Sequence, residues 1–320
     1  MEPFTLTLGN GTRLTGLCNI PDPSPKSAKR RPLIVGIHGG SYSASYFDVD
    51  AHHTAALTSN ALSVPFIAIN RPGIAGSTSL YPLPPDSSDP ETQAAFLHNH
   101  ILPALWTTFG PSNGCNSLIL LCHSLGTPIA IIAASYLAAS HPPGTQPPYP
   151  LAGIIFSGFG IQLIPDSGPN PDPNMAPPEF LDFTAEVKNA IMMAPGTCDP
   201  SVYNYHERLN VKFPFREVAD IHTVWLPRIR SEWAKDVKVP IMFGIAERDC
   251  YWKATRGHVD ELRGLFETSP RVEGGVVKGA PHNLEMSYWA QGWYTRCFGF
   301  GLECASSWEV ESNCDASTPE

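Results

Sequence analysis

The sequence predicts an α/β protein built on a mostly parallel sheet, and three observations carry that reading. Continuous apolar runs such as "LIVGIHGG" (33–40), "VPFIAINRPG" (64–73) and "SLILLCHS" (117–124) end in glycine or turn residues. Strands buried on both faces of a parallel sheet have this pattern. The runs alternate with segments of helical pattern, the order that right-handed crossovers produce. The alternation breaks once, over residues 161–236, where Pro, Asn and aromatics dominate. That stretch is too long for a loop and reads as an inserted helical lid; the plainer alternative is a segment that only covers the sheet edge.

The elements follow in order. "FTLTLGNGTRLTGLCNI" alternates around Asn10-Gly11, a type I′ turn signal, and predicts an antiparallel hairpin at the sheet edge. "DPSPKSAKRRP" is a linker to the first buried strand, and "HHTAALTSNAL" (52–62) suits a helix before the second. After the loop "STSLYPLPPDSSDPET", Ser88, Asp89 and Pro90 start a helix over 91–109. The strand at 117–123 passes into the helix "TPIAIIAASYLAA" (127–139), and a Pro-rich loop leads to "LAGIIFSGF" (151–159). Within the lid, "PEFLDFTAEVKNAIMM" has a helical pattern. A strand returns at 239–249, a helix at 255–266, a strand at 271–279 and an aromatic helix at 284–298. The core is therefore 1–160 with 237–300, the lid 161–236, and 301–320 a tail.

Bulk properties exclude several classes. Of 320 residues, 42% are hydrophobic and 16% charged, the balance of a chain with a sizeable core and the opposite of a disordered one. The formal net charge is −9 and no basic cluster exceeds Lys29-Arg30-Arg31, which argues against a nucleic-acid partner. No apolar run approaches a membrane span, the N-terminus lacks a secretory pattern and "STPE" is no retention address, so a cytosolic protein is expected. The eight cysteines contain no CxxC pair and read as free thiols; only Cys297, Cys304 and Cys314 lie close enough for one bridge. Neither a metal nor a cofactor is expected.

The chemistry is carried by Cys122-His123-Ser124-Leu125-Gly126, at the passage from a strand to a helix. A serine hydroxyl is a poor nucleophile unless it is exposed, aimed and paired with a base. A tight strand-to-helix turn does the aiming, and crowding there demands small residues two before and two after. The usual elbow is G-x-S-x-G; Cys122 stands in place of the first glycine. The turn puts the Leu125 amide at a helix N-terminus, facing a developing oxyanion. "IHGGSY" closes an earlier strand, and Gly40, or less directly Ser41, offers the second oxyanion donor. "GIAERDCYW" places Asp249 after the strand that follows the lid, and "GAPHNLEMS" delivers His282 after the last strand. Alone, each is an ordinary turn residue. Together they give nucleophile, acid and base in chain order at the carboxyl edge of the sheet, where such sheets hold ligands.

With "HGGSY", "NRPGIAGS", "CHSLG", "AERD" and "GAPHN" in these places, the chain from about Phe4 to Phe298 resembles the α/β-hydrolase superfamily. The resemblance implies an eight-stranded, mostly parallel sheet with helices on both faces and a helical lid after the sixth strand. It further implies Ser124 as nucleophile, His282 as base, Asp249 as acid, and the Gly40 and Leu125 amides as the oxyanion hole. In style the sequence also resembles enzymes that process fungal natural products. The expected reaction is hydrolysis of an ester or thioester of an apolar small molecule through an acyl-enzyme. The alternative is a lyase, cyclase or acyltransferase working in the same pocket.

Other residues were weighed against these. An aspartate nucleophile, as in haloalkane dehalogenases and epoxide hydrolases, is excluded by Ser124. Cys122 precedes the apex of the turn and reads as a structural thiol; Glu247 is the alternative acid. Ser41, Tyr42 and His123 are candidate pocket residues, with packing an equal role for His123. His98, His100, His52 and His53 read as surface histidines. The lid offers Met175, Phe180, Phe183, Met192, Met193, Tyr203, Tyr205, Phe213, Phe215 and Trp225 to an apolar ligand or to its own core. The final helix, with Trp289, Trp293 and Tyr294, is either a dimer surface or packing against the sheet, and the oligomeric state is left open.

Overall fold

The computed structural model describes residues 1–23, 30–141, 145–165, 167 and 178–315, the side chains of 313–315 excepted. Most of the linker, Met175, the Cys314 side chain and the last five residues fall outside the described residues. Eight strands form one sheet: β1 (Glu2–Thr7), β2 (Arg13–Asn19), β3 (Pro32–Ile37), β4 (Phe66–Ile69), β5 (Ser117–His123), β6 (Leu151–Ser157), β7 (Ile241–Arg248) and β8 (Val272–Pro281). Their spatial order is β1-β2-β4-β3-β5-β6-β7-β8. The hairpin β1–β2 pairs antiparallel in the register Glu2↔Cys18 to Thr7↔Arg13, and β2 runs antiparallel to β4. Every other pair is parallel. Strands β3, β5 and β6 are buried along their whole length, which is why they read as unbroken apolar runs.

Helix Gly126–Ser140 packs on one face of the sheet, with residues 126–135 all buried. On the other face lies the helix Ala290–Asp315, whose Trp293 and Tyr294 are buried in the core. The aromatic face of that helix is therefore packing against the sheet. The segment expected as a tail from 301 continues this helix to Asp315, because Phe300, Cys304 and Ala305 keep burying one stripe. The helix also begins later than its pattern suggested, since Leu284–Met286 form a separate 3₁₀ turn. The helix expected from His52 starts at Ala56. Asp50 Oδ1 accepts the amides of His52 and His53, and this turn takes the first residues out of the helix.

Of three π turns among the described residues, Leu97–Ile101 and Ile221–Trp225 end two residues before a proline, Pro103 and Pro227, while Ile229–Trp233 has no proline at that spacing. Proline cannot donate and its ring crowds the carbonyl four residues back, so a widened turn lets the helix continue.

The excursion between β6 and β7 divides in two. Its first part holds a short antiparallel pair, Phe180–Leu181 with Phe213–Pro214, and helices Ala185–Met192 and His206–Leu209. Its second part runs helically from Phe215 to Asp236 and is built into the core. Trp225 stacks on Trp233 at 5.6 Å and meets Phe159 edge-on. Among the described residues, no helix is long and apolar enough to cross a membrane.

Candidate active site

Strand β5 ends at His123 and the next helix begins at Gly126, leaving two residues for the turn. Ser124 is forced to φ +48°, a left-handed conformation disfavoured for serine and held by its amide donating to the Ser157 carbonyl at 2.9 Å. The crowding that demands glycine at 126 is visible: a Cβ there would sit 2.6 Å from the Ile37 carbonyl oxygen. Cys122 is fully buried, lies outside the cavity lining, and burial pushes its thiol well up; it packs as a structural thiol.

Loops after β7 and β8 bring the other two groups to this turn. His282 Nε2 lies 3.1 Å from Ser124 Oγ. His282 Nδ1 lies 3.0 and 3.1 Å from the two oxygens of Asp249. Asp249 Oδ1 also accepts the amides of Tyr251 and Trp252, at 2.8 and 3.2 Å, which fixes the carboxylate's orientation. That arrangement calls for the tautomer with Nδ1–H donating to Asp249 and Nε2 free to accept from the serine. Glu247, the rival acid, is exposed and accepts the Gly279 amide at 2.8 Å instead. Asp249, Cys250 and His282 bring ligand-type atoms within 4.8 Å of one another, but the carboxylate and Nδ1 are already spent on each other.

Above Ser124 and His282 opens a cavity of about 400 Å³, lined also by Gly40, Leu125, Tyr42 and His123. Its walls are largely apolar, from Phe159 and Trp252 of the core to Phe183, Met192 and Phe213 of the excursion. Among the described residues no lysine, arginine, aspartate or glutamate lines it. Of the aromatics and methionines expected there, Phe183, Met192 and Phe213 reach the cavity. Trp225 packs in the core on the side of helix Gly126–Ser140, while Met193, Tyr203 and Tyr205 pack with the core on the side of helix Ala290–Asp315. Ser41, expected in the pocket, does not line it; it is buried at φ +60° with its hydroxyl unpartnered among the described residues. Gly40 and Leu125 line the cavity, and among the described residues neither amide donates to a loop or turn carbonyl.

A buried polar network lies beneath the site; of its members only Tyr42 and His123 were expected near the pocket, and the others carry no sequence signal beyond their polarity. Glu285 accepts from Ser157 Oγ (2.5 Å), Tyr46 OH (2.6 Å) and Trp293 Nε1 (2.9 Å), and burial raises its carboxyl pKa. Ser157 Oγ also meets His123 Nδ1 at 3.0 Å, and the Asn283 amide bridges His123 Nε2 (3.2 Å) to Tyr42 OH (2.5 Å). His123 stacks on Tyr46 at 4.4 Å and touches the His282 ring edge-on at 5.0 Å. Burial, then the neighbouring His282, holds the His123 pKa well below its usual value. His123 thus both lines the pocket and supports it. Of the histidines expected at the surface, His52 is exposed and His53 half-buried against Asp50, whereas His98 is buried on Tyr149 OH at 2.7 Å.

The sheet order and the excursion after the sixth strand are those of an α/β hydrolase. A profile described as "Alpha/beta hydrolase family" matches residues 34–290, more than half of the chain, and the chain belongs to that family. No curated protein matches it. Among solved structures it is similar to a putative aryl esterase from Burkholderia cenocepacia, at TM-score 0.58 and 16% identity over 96% of this chain and 100% of that one. It is similar to the thioesterase domain from the curacin biosynthetic pathway, at TM-score 0.57 and 15% identity over 92% and 98%. A Paleococcus ferrophilus monoacylglycerol lipase aligns at TM-score 0.57 and 15% identity over 90% and 99%. At these identities the likeness is one of fold.

Proposed function

We propose that the protein is a serine hydrolase that cleaves an ester or thioester of an uncharged, largely apolar small molecule through an acyl-enzyme. The observation that carries this reading is the 3.1 Å approach of His282 Nε2 to Ser124 Oγ, with Asp249 behind the imidazole. Ser124 Oγ attacks the acyl carbon while His282 takes its proton, and the amides of Gly40 and Leu125 receive the oxyanion. His282 then protonates the departing alcohol or thiol as the tetrahedral adduct collapses. Water, deprotonated by the same imidazole, attacks the acyl-enzyme and releases the acid and free Ser124. Asp249 orients the ring and stabilises the imidazolium.

The substrate class follows from the cavity. Its apolar walls reward burial of acyl or aryl carbons, and among the described residues the lining offers no lysine, arginine, aspartate or glutamate to a charged substrate, only histidines such as His222. The likeness in fold to an esterase, a lipase and a thioesterase supports acyl transfer. The test is a fluorophosphonate label followed by a panel of p-nitrophenyl esters and acyl thioesters. Labelling at Ser124 and turnover that falls at least about 10³-fold in Ser124→Ala are expected. Undiminished turnover in that variant refutes the reading, and labelling without turnover on any ester assigns the pocket to a non-hydrolytic reaction.

A further inference from the structure

Lys188 lies on the excursion helix Ala185–Met192, is 1% exposed, and forms no ion pair with a carboxylate among the described residues. Its ammonium donates to three oxygens: the Ser41 carbonyl at 2.6 Å, the Leu209 carbonyl at 3.1 Å and Asn210 Oδ1 at 3.1 Å. Nζ also sits 3.6 Å from the centre of the Tyr42 ring. A methionine would fill the same space without burying a charge, so the cation is doing what a neutral side chain would not, which is gripping carbonyls.

What it grips matters. Ser41 follows Gly40 directly and is held at φ +60°, a conformation serine does not favour. Its own hydroxyl makes no hydrogen bond that would keep it there. Its carbonyl takes two donors, Lys188 Nζ and the Val211 amide at 3.0 Å, and both come from the excursion. On the other side of Gly40, the Gly39 carbonyl is held by the core, through His38 Nδ1 at 2.8 Å and Arg71 Nη2 at 3.2 Å. The core therefore pins the 39–40 peptide, which carries the Gly40 amide, and the excursion pins the chain two peptides further on, at the Ser41 carbonyl.

We propose that Lys188 is a positioning residue for the oxyanion hole: by holding the Ser41 carbonyl it fixes the backbone on the C-terminal side of Gly40, so the loop that presents the Gly40 amide is braced at both ends only when helix Ala185–Met192 is docked. The inference rests on the serine-hydrolase reading and adds to it a reason for the excursion beyond covering the cavity. It also gives a pH dependence. Burial lowers the Lys188 pKa to about 7, and proton loss removes the charge and one donor. The ionisable groups around it are Asp182, which is bonded to Asn210 Nδ2 at 3.2 Å, His206 with Glu186 beside it on the excursion, and His38 and Tyr42 on the core.

The experiment compares wild type with Lys188→Met, using p-nitrophenyl butyrate and an aryl trifluoromethyl ketone, whose hemiketal with Ser124 places an oxyanion in the hole. The expected result is a kcat and a ketone affinity each 10- to 100-fold lower in the variant, with KM within threefold. Wild-type kcat is expected to fall as pH rises past about 7, and Lys188→Met to lack that limb. A variant with wild-type kcat and ketone affinity, or one that keeps the same limb, overturns the proposal. If Lys188→Met does not fold, the wild-type ketone series from pH 6 to 9 decides. Affinity falling as pH rises supports the proposal, and affinity that is flat or rising overturns it. Failure of the hydrolase reading would look different: the wild-type protein would form no adduct and Ser124 would take no phosphonate label.

Discussion

Replacing Asp249 by asparagine tests the site at the point where its geometry is most decisive. Asp249 Oδ1 accepts two backbone amides, from Tyr251 and Trp252, so an asparagine must place its carbonyl oxygen there. Its NH₂ then takes the position of Oδ2, 3.0 Å from His282 Nδ1, and donates where the carboxylate accepted, while the carbonyl oxygen, 3.1 Å from the same nitrogen, is already occupied by the two amides. The imidazole answers by carrying its proton on Nε2, which now points an N–H at Ser124 Oγ 3.1 Å away. No lone pair is left for the serine proton, although nothing has moved and no volume has changed. A wrong tautomer of this kind costs about 10⁴ in kcat, equivalent to about 5 kcal/mol of transition-state stabilisation. The assay is kcat on the best p-nitrophenyl ester, with thermal unfolding as a control; Tm should stay within a few degrees of wild type. An Asp249→Asn enzyme that folds and keeps more than a tenth of wild-type kcat would refute the assignment of the acid.

Glu247→Gln is the matching control: its carboxylate only accepts the Gly279 amide, a glutamine oxygen does the same, and kcat should change less than about threefold. Trp225→Ala removes a fully buried ring stacked between Trp233 and Phe159. It should cost about 3–5 kcal/mol, roughly 5–7 °C in Tm by calorimetry. Lys188 also predicts a stability trend. Its folded pKa is lowered to about 7 from an ordinary 10.5, so between those values the unfolded chain binds the extra proton and stability rises with pH. Urea unfolding should show wild type gaining stability relative to Lys188→Met from pH 7 to 10, the reverse of what an ion-paired lysine would give.

Much of the fold was legible because strand burial leaves a local mark. β3, β5 and β6 are buried on both faces, so their interiors are apolar throughout, with polar residues (Ser117, His123, Ser157) only at strand ends, where glycines and the serine that the turns need also fall. The hairpin at Asn10-Gly11 was legible for the same local reason, with Gly11 at φ +81°. Other features depended on distant partners. Residues 221–236 are built into the core because Trp225, itself stacked on Trp233, meets Phe159, far earlier in the chain. His98 looked like a surface histidine until Tyr149 was placed against it.

The candidate site divides along the same line. The order Ser124, Asp249, His282 could be read from the chain, because each sits just past a strand whose apolar pattern announces it and the parallel sheet gathers strand ends at one edge. Between Glu247 and Asp249, two residues apart at one strand end, the resemblance favoured Asp249 while Glu247 stayed the alternative; the fold sets Asp249, held by the Tyr251 and Trp252 amides, against His282 and leaves Glu247 exposed. The role of Lys188 could not be read from the chain: in "AEVKNAIM" it looks like any solvated helix lysine. Its partner, the Ser41 carbonyl, lies 147 residues away. A backbone oxygen leaves no trace in a sequence, so contacts made to carbonyls emerge only when the chain is folded.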